Sequence, residues 1–228
     1  MKKIALFGGT FNPPHNGHVE IASMLAKDFD EVVIFPCGPR SDKPSADMVD
    51  PIYRATMCDM AFGGIPRVHV DLSDLERGVY TRTFELVNKF SALGDEVWIV
   101  VGSDLLQPKD GAKSEILTWK KGEWLLQNCR FAVFERPGFP MLIGDISNFK
   151  VFPQSSDLSS STIRQMIFRH QSFRGLIPPR VESYIQRHRL YTGRAPNCEN
   201  EFIYTDEPKA LIVADKENIA AQEFAEGL

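Results

Sequence analysis

The chain has 228 residues, of which 43% are hydrophobic, and its formal net charge is −4. This length and composition predict a globular protein with a packed core, built as one large domain or two small ones. No apolar stretch approaches the roughly 18 residues that a membrane-spanning helix needs, and no signal-peptide core precedes the first apolar run, so we expect a cytoplasmic protein without a membrane partner.

The charge is spread unevenly. Residues 195–228 contain eight acidic and two basic side chains, a net charge of −6, which leaves +2 for residues 1–194. No clustered basic stripe is present, and we therefore expect no nucleic-acid partner. The cysteines form no CxxC pair, which favours reduced thiols over a disulfide framework or a zinc site. They are Cys37, Cys58, Cys129 and Cys198.

Apolar, β-branched runs predict strands, and segments with helical spacing lie between them. The predicted strands are 4–7, 31–35, 67–72, 96–101, 131–134 and 150–152, and the main predicted helices are 19–26, 53–61, 83–90 and 116–127. This alternation predicts a doubly wound α/β fold, a parallel sheet with helices on both faces. Ligands in such sheets bind beyond the carboxyl ends of the strands, where the strand order reverses.

The run GGTFNPPHNGH, residues 8–18, connects the first predicted strand to the first helix. Gly8 and Gly9 allow main-chain N–H groups to approach a ligand closely, and the following helix start supplies further N–H groups and a positive dipole end. His15 and His18 are three residues apart, so both rings are expected on one helix face beside the turn. The run therefore predicts a phosphate-binding turn flanked by two imidazoles.

A second polar run, LSSSTIR at residues 158–164, precedes a short apolar helix pattern. Its serines and threonine are typical of a helix N-cap, where hydroxyl groups satisfy free N–H groups and also face anions. Arg164 adds a positive charge about one helical turn further on.

The first run resembles the GGTFdPxHxGH signature of the HxGH nucleotidyltransferases, most closely the nicotinate mononucleotide adenylyltransferases, and the second resembles their ISSTxIR motif. The resemblance extends over residues 1–192 and implies a Rossmann-like sheet with the first strand central. It implies transfer of AMP from ATP to nicotinate or nicotinamide mononucleotide in NAD biosynthesis, with Mg²⁺ bound through the ATP phosphates. The implied catalytic residues are His15, His18 and Arg164. The implied ATP-binding residues are Gly8, Gly9, Thr10, Phe11, Gly102, Asp104, Ser160 and Ser161.

The acceptor side of the resemblance is less regular. The loop PCGPRSDKP at 36–44 corresponds to a PPHK-bearing loop but lacks the histidine and keeps Lys43 and Arg40, and as a Pro- and Gly-rich segment it also suits a surface connection. The stretch 78–86 resembles SYTxxTLxxL with altered spacing. Thr81 or Thr83 is therefore interpreted as a helix cap, with acceptor contact as the alternative.

Two aromatic candidates and an arginine complete the implied acceptor set. Trp119 resembles the tryptophan that stacks on the acceptor ring, with Trp124 as the competing candidate. Arg136 matches the arginine of an RPG turn and has the planar geometry that clamps a phosphate. Arg54, in an RxxM-like pair, is interpreted as a helix-surface residue. Asp104, after the fourth predicted strand, is interpreted as a ligand contact, a helix cap or both.

Other functions stay open at this point. The same fold and ATP site would suit another acceptor, such as phosphopantetheine, or a CTP-dependent reaction with an alcohol phosphate. A nucleotide sensor without catalysis is a further alternative, and a metal site at His15 and His18 lacks further ligands nearby. We divide the chain into a nucleotidyltransferase domain, 1–192, and an acidic extension, 193–228, which packs on the body, mediates homo-oligomer formation or stays mobile.

Overall fold

A computed structural model describes residues 1–40, 49–108, 113–141, 148–153 and 156–193. Its strands are β1 (Lys3–Gly9), β2 (Glu31–Pro36), β3 (Val68–Val70), β4 (Glu96–Gly102), β5 (Arg130–Phe134) and β6 (Phe149–Phe152). Its α-helices are α1 (Asn16–Asp28), α2 (Pro51–Phe62), α3 (Ser73–Arg77), α4 (Thr83–Ser91), α5 (Gly122–Asn128), α6 (Ser160–Phe168) and α7 (Pro179–Arg187). Short 3-10 helices span Ser103–Leu105 and Glu115–Thr118.

The described strands form one parallel sheet in the order β3-β2-β1-β4-β5-β6, which confirms the doubly wound α/β fold with the first strand central. The order reverses between β1 and β4, because β2 and β3 continue to one side of β1 and the later strands to the other. This reversal puts the carboxyl ends of β1 and β4 side by side, at Gly9 and Gly102. A ligand crevice is expected at that edge.

Alternate strand residues enter two separate cores, as the two-residue period of a strand requires. Ala5 and Phe7 belong to a core completed by α1, α2, α6 and α7. Ile4 and Leu6 belong to the opposite core, completed by α4 and α5. Burial of each such side chain contributes about 1.5–3 kcal/mol, so the sheet is held from both faces.

Two predicted elements differ from those observed. The single helix predicted at 116–127 is a 3-10 helix followed by α5, because Lys121 takes a left-handed conformation with φ 60°. At Gly122 a Cβ atom would come within 2.0 Å of the Ile116 carbonyl oxygen, so the chain folds back closely at this break. The third strand, predicted at 67–72, spans only Val68–Val70: it begins after Arg67, whose φ is 63°, and it ends before Asp71.

None of the helices in the described part of the chain has the length and apolar composition to cross a membrane. Cys37, Cys58 and Cys129 are buried. Burial raises the pKa of the Cys129 thiol to about 11, so this group is protonated at neutral pH. Apart from Gly193, the predicted acidic extension lies outside the described residues, as does Cys198.

Candidate active site

An open cleft of about 450 Å³ lies beyond the carboxyl ends of β1 and β4, where the fold predicts a ligand. It brings together the two polar runs that the sequence singles out, although they are separated by more than a hundred residues. We call it the phosphate cleft. Its lining residues are Gly9, Thr10, Phe11, His15, His18, Asp104, Arg136, Pro137, Asp157, Leu158, Ser159, Ser160, Ser161 and Arg164.

The turn after β1 is held in an unusual backbone conformation. Phe11 has φ 47°, a left-handed value that is uncommon for a residue with a side chain, and its ring is almost fully buried. The Phe11 ring packs edge-on against the His18 ring at a centroid distance of 5.0 Å. At Gly9 a Cβ atom would lie 3.1 Å from the Phe11 ring, so glycine permits this close packing. The turn is therefore shaped by packing from below as well as by its glycines.

The two histidines form a stacked pair at the start of α1. Their ring centroids are 3.6 Å apart, and the backbone N–H of His15 donates to Nδ1 of His18 at 3.2 Å. Because Nδ1 of His18 accepts this bond, the N–H group of its ring is at Nε2. His18 is thereby oriented as a hydrogen-bond donor at the cleft.

His15 differs from its neighbour in being 3% exposed. Burial, assisted by the positive charge of Arg136, lowers the pKa of His15 to about 4. Its Nδ1 atom is buried and has no hydrogen-bond partner among the described residues. At neutral pH His15 is therefore an uncharged imidazole.

The second polar run is tied directly to the first. Ser159 is the N-cap of α6, as predicted, and its hydroxyl accepts a hydrogen bond from the Thr162 N–H at 3.0 Å. Ser160 Oγ donates to the Pro13 carbonyl at 2.8 Å. These contacts fix the start of α6 against the histidine-bearing turn.

Arg164 reinforces the same junction. One of its nitrogens donates to the Asn12 carbonyl at 2.5 Å and the other donates to Ser161 Oγ at 3.2 Å. Asn12 is itself fully buried, and its side-chain oxygen accepts a hydrogen bond from the Tyr191 hydroxyl. Burial raises the pKa of the Tyr191 hydroxyl well above its usual range, so it stays a donor.

The opposite wall of the cleft carries an ion pair above Gly102. Nε of Arg136 lies 4.0 Å from Asp104 Oδ1, and both side chains are about one-third exposed. The Arg136 backbone N–H donates to Ser103 Oγ at 2.9 Å, which holds the turn after β5 against the end of β4. Arg136, expected with the acceptor residues, therefore lies with the histidines.

A second, narrower pocket of about 170 Å³ adjoins the cleft, because Gly9 and Thr10 line both. We call it the inner pocket. Its walls combine apolar strand residues with aromatic and cationic side chains from three loops. Its lining includes Leu6, Gly8, Phe35, Cys37, Arg40, Tyr80, Thr81, Thr83, Leu86, Ile99, Leu105, Glu115 and Trp119.

The outer end of the inner pocket is rich in cations. The Arg40 guanidinium lies 4.6 Å and that of Arg82 lies 4.7 Å from the centre of the Tyr80 ring. Arg40, Arg82 and Lys120 line a further space of about 80 Å³ together with Glu115 and Trp119. A planar anionic or aromatic ligand group would find both a ring face and positive charge here.

A family model described as Cytidylyltransferase-like matches residues 6–166. The nicotinate-nucleotide adenylyltransferase of Bacillus subtilis (strain 168) is 31% identical to this chain over 203 residues, covering 84% of this chain and 99% of the relative. The chain belongs to the nicotinate-nucleotide adenylyltransferase family. The probable family member from Bacillus pumilus (strain SAFR-032) is 33% identical over 204 residues, with coverage of 84% and 99%.

A solved structure supports the same fold. It is the nicotinic acid mononucleotide adenylyltransferase of Plasmodium falciparum complexed with NaAD, which has a TM-score of 0.69 and 22% identity and covers 84% of this chain and 98% of that one. Membership of the nicotinate-nucleotide adenylyltransferase family confirms the resemblance that the two polar runs carry. This chain is accordingly a nucleotidyltransferase.

In this family member, neither predicted threonine cap is present. The residue before α4 is Arg82, whose backbone N–H donates to Glu85 Oε2 at 3.0 Å. The Thr81 hydroxyl instead donates to the buried Asp74 carboxylate at 2.5 Å, which also accepts the Thr81 N–H. Thr81 thus anchors its loop from inside. Thr83 opens α4 and lines the inner pocket together with Trp119.

The two tryptophans are separated by the break in the predicted helix. Trp119 ends the 3-10 helix and lines the inner pocket, whereas Trp124 lies on α5 and is 40% exposed. Lys43 lies outside the described residues. Within the described ranges no cluster of three or more His, Cys, Asp or Glu side chains forms a metal site.

The interpretation of Arg54 as a helix-surface residue is wrong. Arg54 lies on α2 and is fully buried, where it donates from Nη1 to the Thr10 carbonyl at 3.1 Å and to the Cys37 carbonyl at 2.7 Å. Sequence reasoning missed it because an arginine on an amphipathic helix is usually exposed. The RxxM-like spacing of Arg54 and Met57, both buried, was the one signal that could have identified it.

Proposed function

We propose that the chain transfers the adenylyl group of ATP to nicotinate mononucleotide, releasing pyrophosphate and forming the dinucleotide in NAD biosynthesis. The observation that carries the proposal is the shared wall of the two sites. Gly9 and Thr10 line both the phosphate cleft, with its histidines, and the inner pocket, with Trp119. Two substrates bound there would meet at the turn after β1.

The reaction needs no covalent enzyme intermediate. An oxygen of the acceptor phosphate attacks the α-phosphorus of ATP, and the bond to the β-phosphate oxygen breaks as pyrophosphate leaves. Catalysis of such transfers depends on alignment and on stabilisation of negative charge. Nε2–H of His18 is the donor we assign to the α-phosphate, while His15, Arg164 and Arg136 line the cleft for neighbouring phosphate oxygens.

The remaining ATP contacts follow from position in the cleft. The backbone of Gly9 to Phe11 and the hydroxyls of Ser160 and Ser161 face the phosphates, and Asp104 serves the ribose or adenine amine. Mg²⁺ would be held through the phosphate oxygens and water, in keeping with its preference for few protein ligands. When bound it supplies charge neutralisation for the departing pyrophosphate.

The acceptor occupies the inner pocket in this proposal. Its pyridinium ring stacks on Trp119, and a cationic ring on an aromatic face is electrostatically favourable. Thr83 and Arg40 line the same pocket. The acidic side chain in the pocket is Glu115, while three cations at its outer end favour a carboxylate-bearing acceptor over its amide.

Pyrophosphate release tests the proposal. The chain is incubated with ATP and Mg²⁺ and with one of three acceptors, nicotinate mononucleotide, nicotinamide mononucleotide or phosphopantetheine, and a parallel reaction contains excess chelator. We expect release with nicotinate mononucleotide above the other two, and none with chelator. Release with phosphopantetheine alone would assign another acceptor, and silence with all three despite ATP binding would indicate a sensor.

The proposal also includes the division at residue 192 and a cytoplasmic place of action without nucleic-acid partners. The burial of Cys58 and Cys129 without a disulfide between described residues is in keeping with a reducing compartment. Homo-oligomer formation belongs to the proposal as one of the three roles of residues 193–228.

A further inference from the structure

Arg54 is a buried cation without a counter-charge in the described part of the chain. It is 0% exposed, and among the described residues no carboxylate forms an ion pair with it. Its Nε and Nη2 atoms are also buried without a hydrogen-bond partner there. Burying an arginine in this way opposes folding, since charge desolvation is unfavourable. The position therefore calls for a role that a hydrophobic side chain would not fill.

Both contacts of Arg54 go to loops that bound the two ligand sites. Nη1 donates to the carbonyl oxygens of Thr10, in the turn after β1, and of Cys37, in the loop after β2. Arg54 itself lines neither the phosphate cleft nor the inner pocket among the residues described. It acts on ligands only through the backbone that it holds.

The Thr10 contact has a geometric consequence for the next amide. In a trans peptide the C=O and N–H bonds of one plane point in opposite directions, and the cis bond recorded in this turn is Asn12–Pro13. Because the Thr10 carbonyl points inward to Arg54, the Phe11 N–H points outward. Phe11 lines the phosphate cleft but not the inner pocket, so the cleft is where we place its N–H group.

The preceding amide is directed toward the end of β4. The Gly9 carbonyl accepts a hydrogen bond from the Cys37 N–H at 2.9 Å, on the β2 side of β1, so the Thr10 N–H of the same peptide plane points to the opposite side, that of β4. The left-handed φ of 47° at the next residue, Phe11, is typical of backbone nests, in which successive N–H groups bind an anion.

We propose that Arg54 is a positioning residue that holds the Phe11 N–H toward the phosphate cleft as a donor to ATP phosphate. The inference rests on the proposed function for its nucleotide, but not on the identity of the acceptor. Both contacts come from one nitrogen, Nη1. Lysine at this position keeps the charge, but its side chain is one bond shorter, so its ammonium group does not reach the place of Nη1 between the two carbonyl oxygens. Arg54→Lys therefore keeps the positive charge and removes the contacts that orient the backbone.

The test follows the Phe11 amide of the full chain labelled with ¹⁵N-phenylalanine. In the wild-type chain, ATP with Mg²⁺ shifts the Phe11 amide resonance; in Arg54→Lys the shift shrinks at least about threefold while other cleft resonances still respond. The matched control is Met57→Leu, on the same helix and equally buried, which keeps the wild-type shift. An unchanged Phe11 shift in Arg54→Lys, or no shift in the wild-type chain, overturns the inference.

Kinetics supply the second readout. We expect Arg54→Lys to lower kcat about 10–100-fold with the KM for ATP changed less than about threefold, because the lost donor acts mainly in the transition state. Arg54→Met, if folded, shows at least the same loss. A lower Tm with unchanged kcat would reduce Arg54 to a structural residue and overturn the inference. If no acceptor supports pyrophosphate release, the proposed function fails, while the Phe11 resonance still decides the role of Arg54.

Discussion

The phosphate cleft and the inner pocket share a wall but are built differently. The cleft is formed mainly by two short runs, 8–18 and 158–164, and its side chains are tied to buried backbone groups, as in the bond from Ser160 Oγ to the Pro13 carbonyl. The inner pocket is formed by residues of separate loops, and the guanidinium groups of Arg40 and Arg82 lie over the Tyr80 ring at its outer end. Directional hydrogen bonds restrict movement more than ring-face contacts do.

This difference suits the phosphate cleft to catalysis and the inner pocket to recognition of the acceptor. Alignment of a reacting phosphorus depends on small displacements, so it belongs on backbone that is held from the interior. Recognition of the acceptor tolerates variation, because a stacked ring and a positive field have broad geometric limits. Changes in the cleft should therefore act on turnover, and changes in the inner pocket should act on acceptor affinity.

The largest expected effect is that of His18→Ala. Removing the Nε2–H donor should lower turnover about 10²–10³-fold, the usual loss of one preorganised donor, with the KM for ATP changed less than about threefold. Steady-state pyrophosphate release at saturating acceptor measures both. The control is His69→Ala, which removes a half-exposed histidine on β3, paired with Glu31 and outside both sites. Unchanged turnover in His18→Ala would show that His18 takes no part in the reaction, and it would contradict the assignment of catalysis to the phosphate cleft.

The pH dependence of stability should reveal how closed the cleft is at His15. The pKa of His15 is about 4 in the folded chain, below the ordinary value of 6.5 that applies to the unfolded chain. Above pH 6.5 the side chain is neutral in both the folded and the unfolded chain, so the full unfolding free energy is present there. As pH falls from 6.5 to 4 the unfolded state takes up the proton first. About 3 kcal/mol of unfolding free energy is then lost, at 1.36 kcal/mol per pKa unit.

Urea unfolding of the wild-type chain and His15→Asn, between pH 7 and pH 4, measures this contribution. Carboxylates titrate in both proteins and cancel in the difference, so the wild-type chain should lose about 3 kcal/mol more than the variant. Parallel curves would mean that His15 is as accessible to protons in the folded chain as in the unfolded one.

Trp119→Ala tests the role of the inner pocket in acceptor binding. Loss of a stacking platform should raise the KM for the acceptor about 5–150-fold, from the roughly 1–3 kcal/mol that base–aromatic stacking provides, and leave the KM for ATP unchanged. The control is Trp124→Ala, at a 40% exposed residue of α5 that does not line the inner pocket. Equal effects of the two substitutions would contradict the choice of Trp119.

Ser159→Ala should give the smallest effect. It removes the side-chain cap of α6, whose hydroxyl accepts from the Thr162 N–H, and should lower the unfolding free energy by about 1 kcal/mol. Chemical denaturation measures the loss, with the exposed Ser172→Ala as the neutral control. An acceptor KM altered along with stability would show that the cleft wall and the inner pocket are not separable.

Much of this arrangement could be predicted from residue order. Strand and helix positions follow from local apolar periodicity, and the parallel doubly wound sheet follows from their alternation. The pairing of residues 8–18 with 158–164 was expected from the family resemblance, because each run matches a family motif within a few contiguous positions. The cap in the serine-rich run, at Ser159, could likewise be predicted, since capping depends on neighbours along the chain.

Other features depended on contacts distant in sequence. Apart from its RxxM-like spacing to Met57, no local feature distinguishes Arg54 from an exposed helical arginine. Its burial arises because α2 packs beneath the loops that contain Thr10 and Cys37. Thr81 or Thr83 was expected to cap a helix, but the Thr81 hydroxyl donates a hydrogen bond to the buried Asp74 carboxylate. The predicted helix at 116–127 broke where Gly122 approaches the Ile116 carbonyl.

Most strands and helices could be predicted because they depend on residues within a few positions of one another, and the two polar runs carry the family resemblance that implies nucleotidyltransferase chemistry. The placement of Arg136 with the histidines and the burial of the neutral His15 depended on the tertiary structure, which also places Trp119, the favoured tryptophan, along the inner pocket. These outcomes depend on which side chains the packed sheet and helices bring together and shield from water, and that is a property of the whole fold.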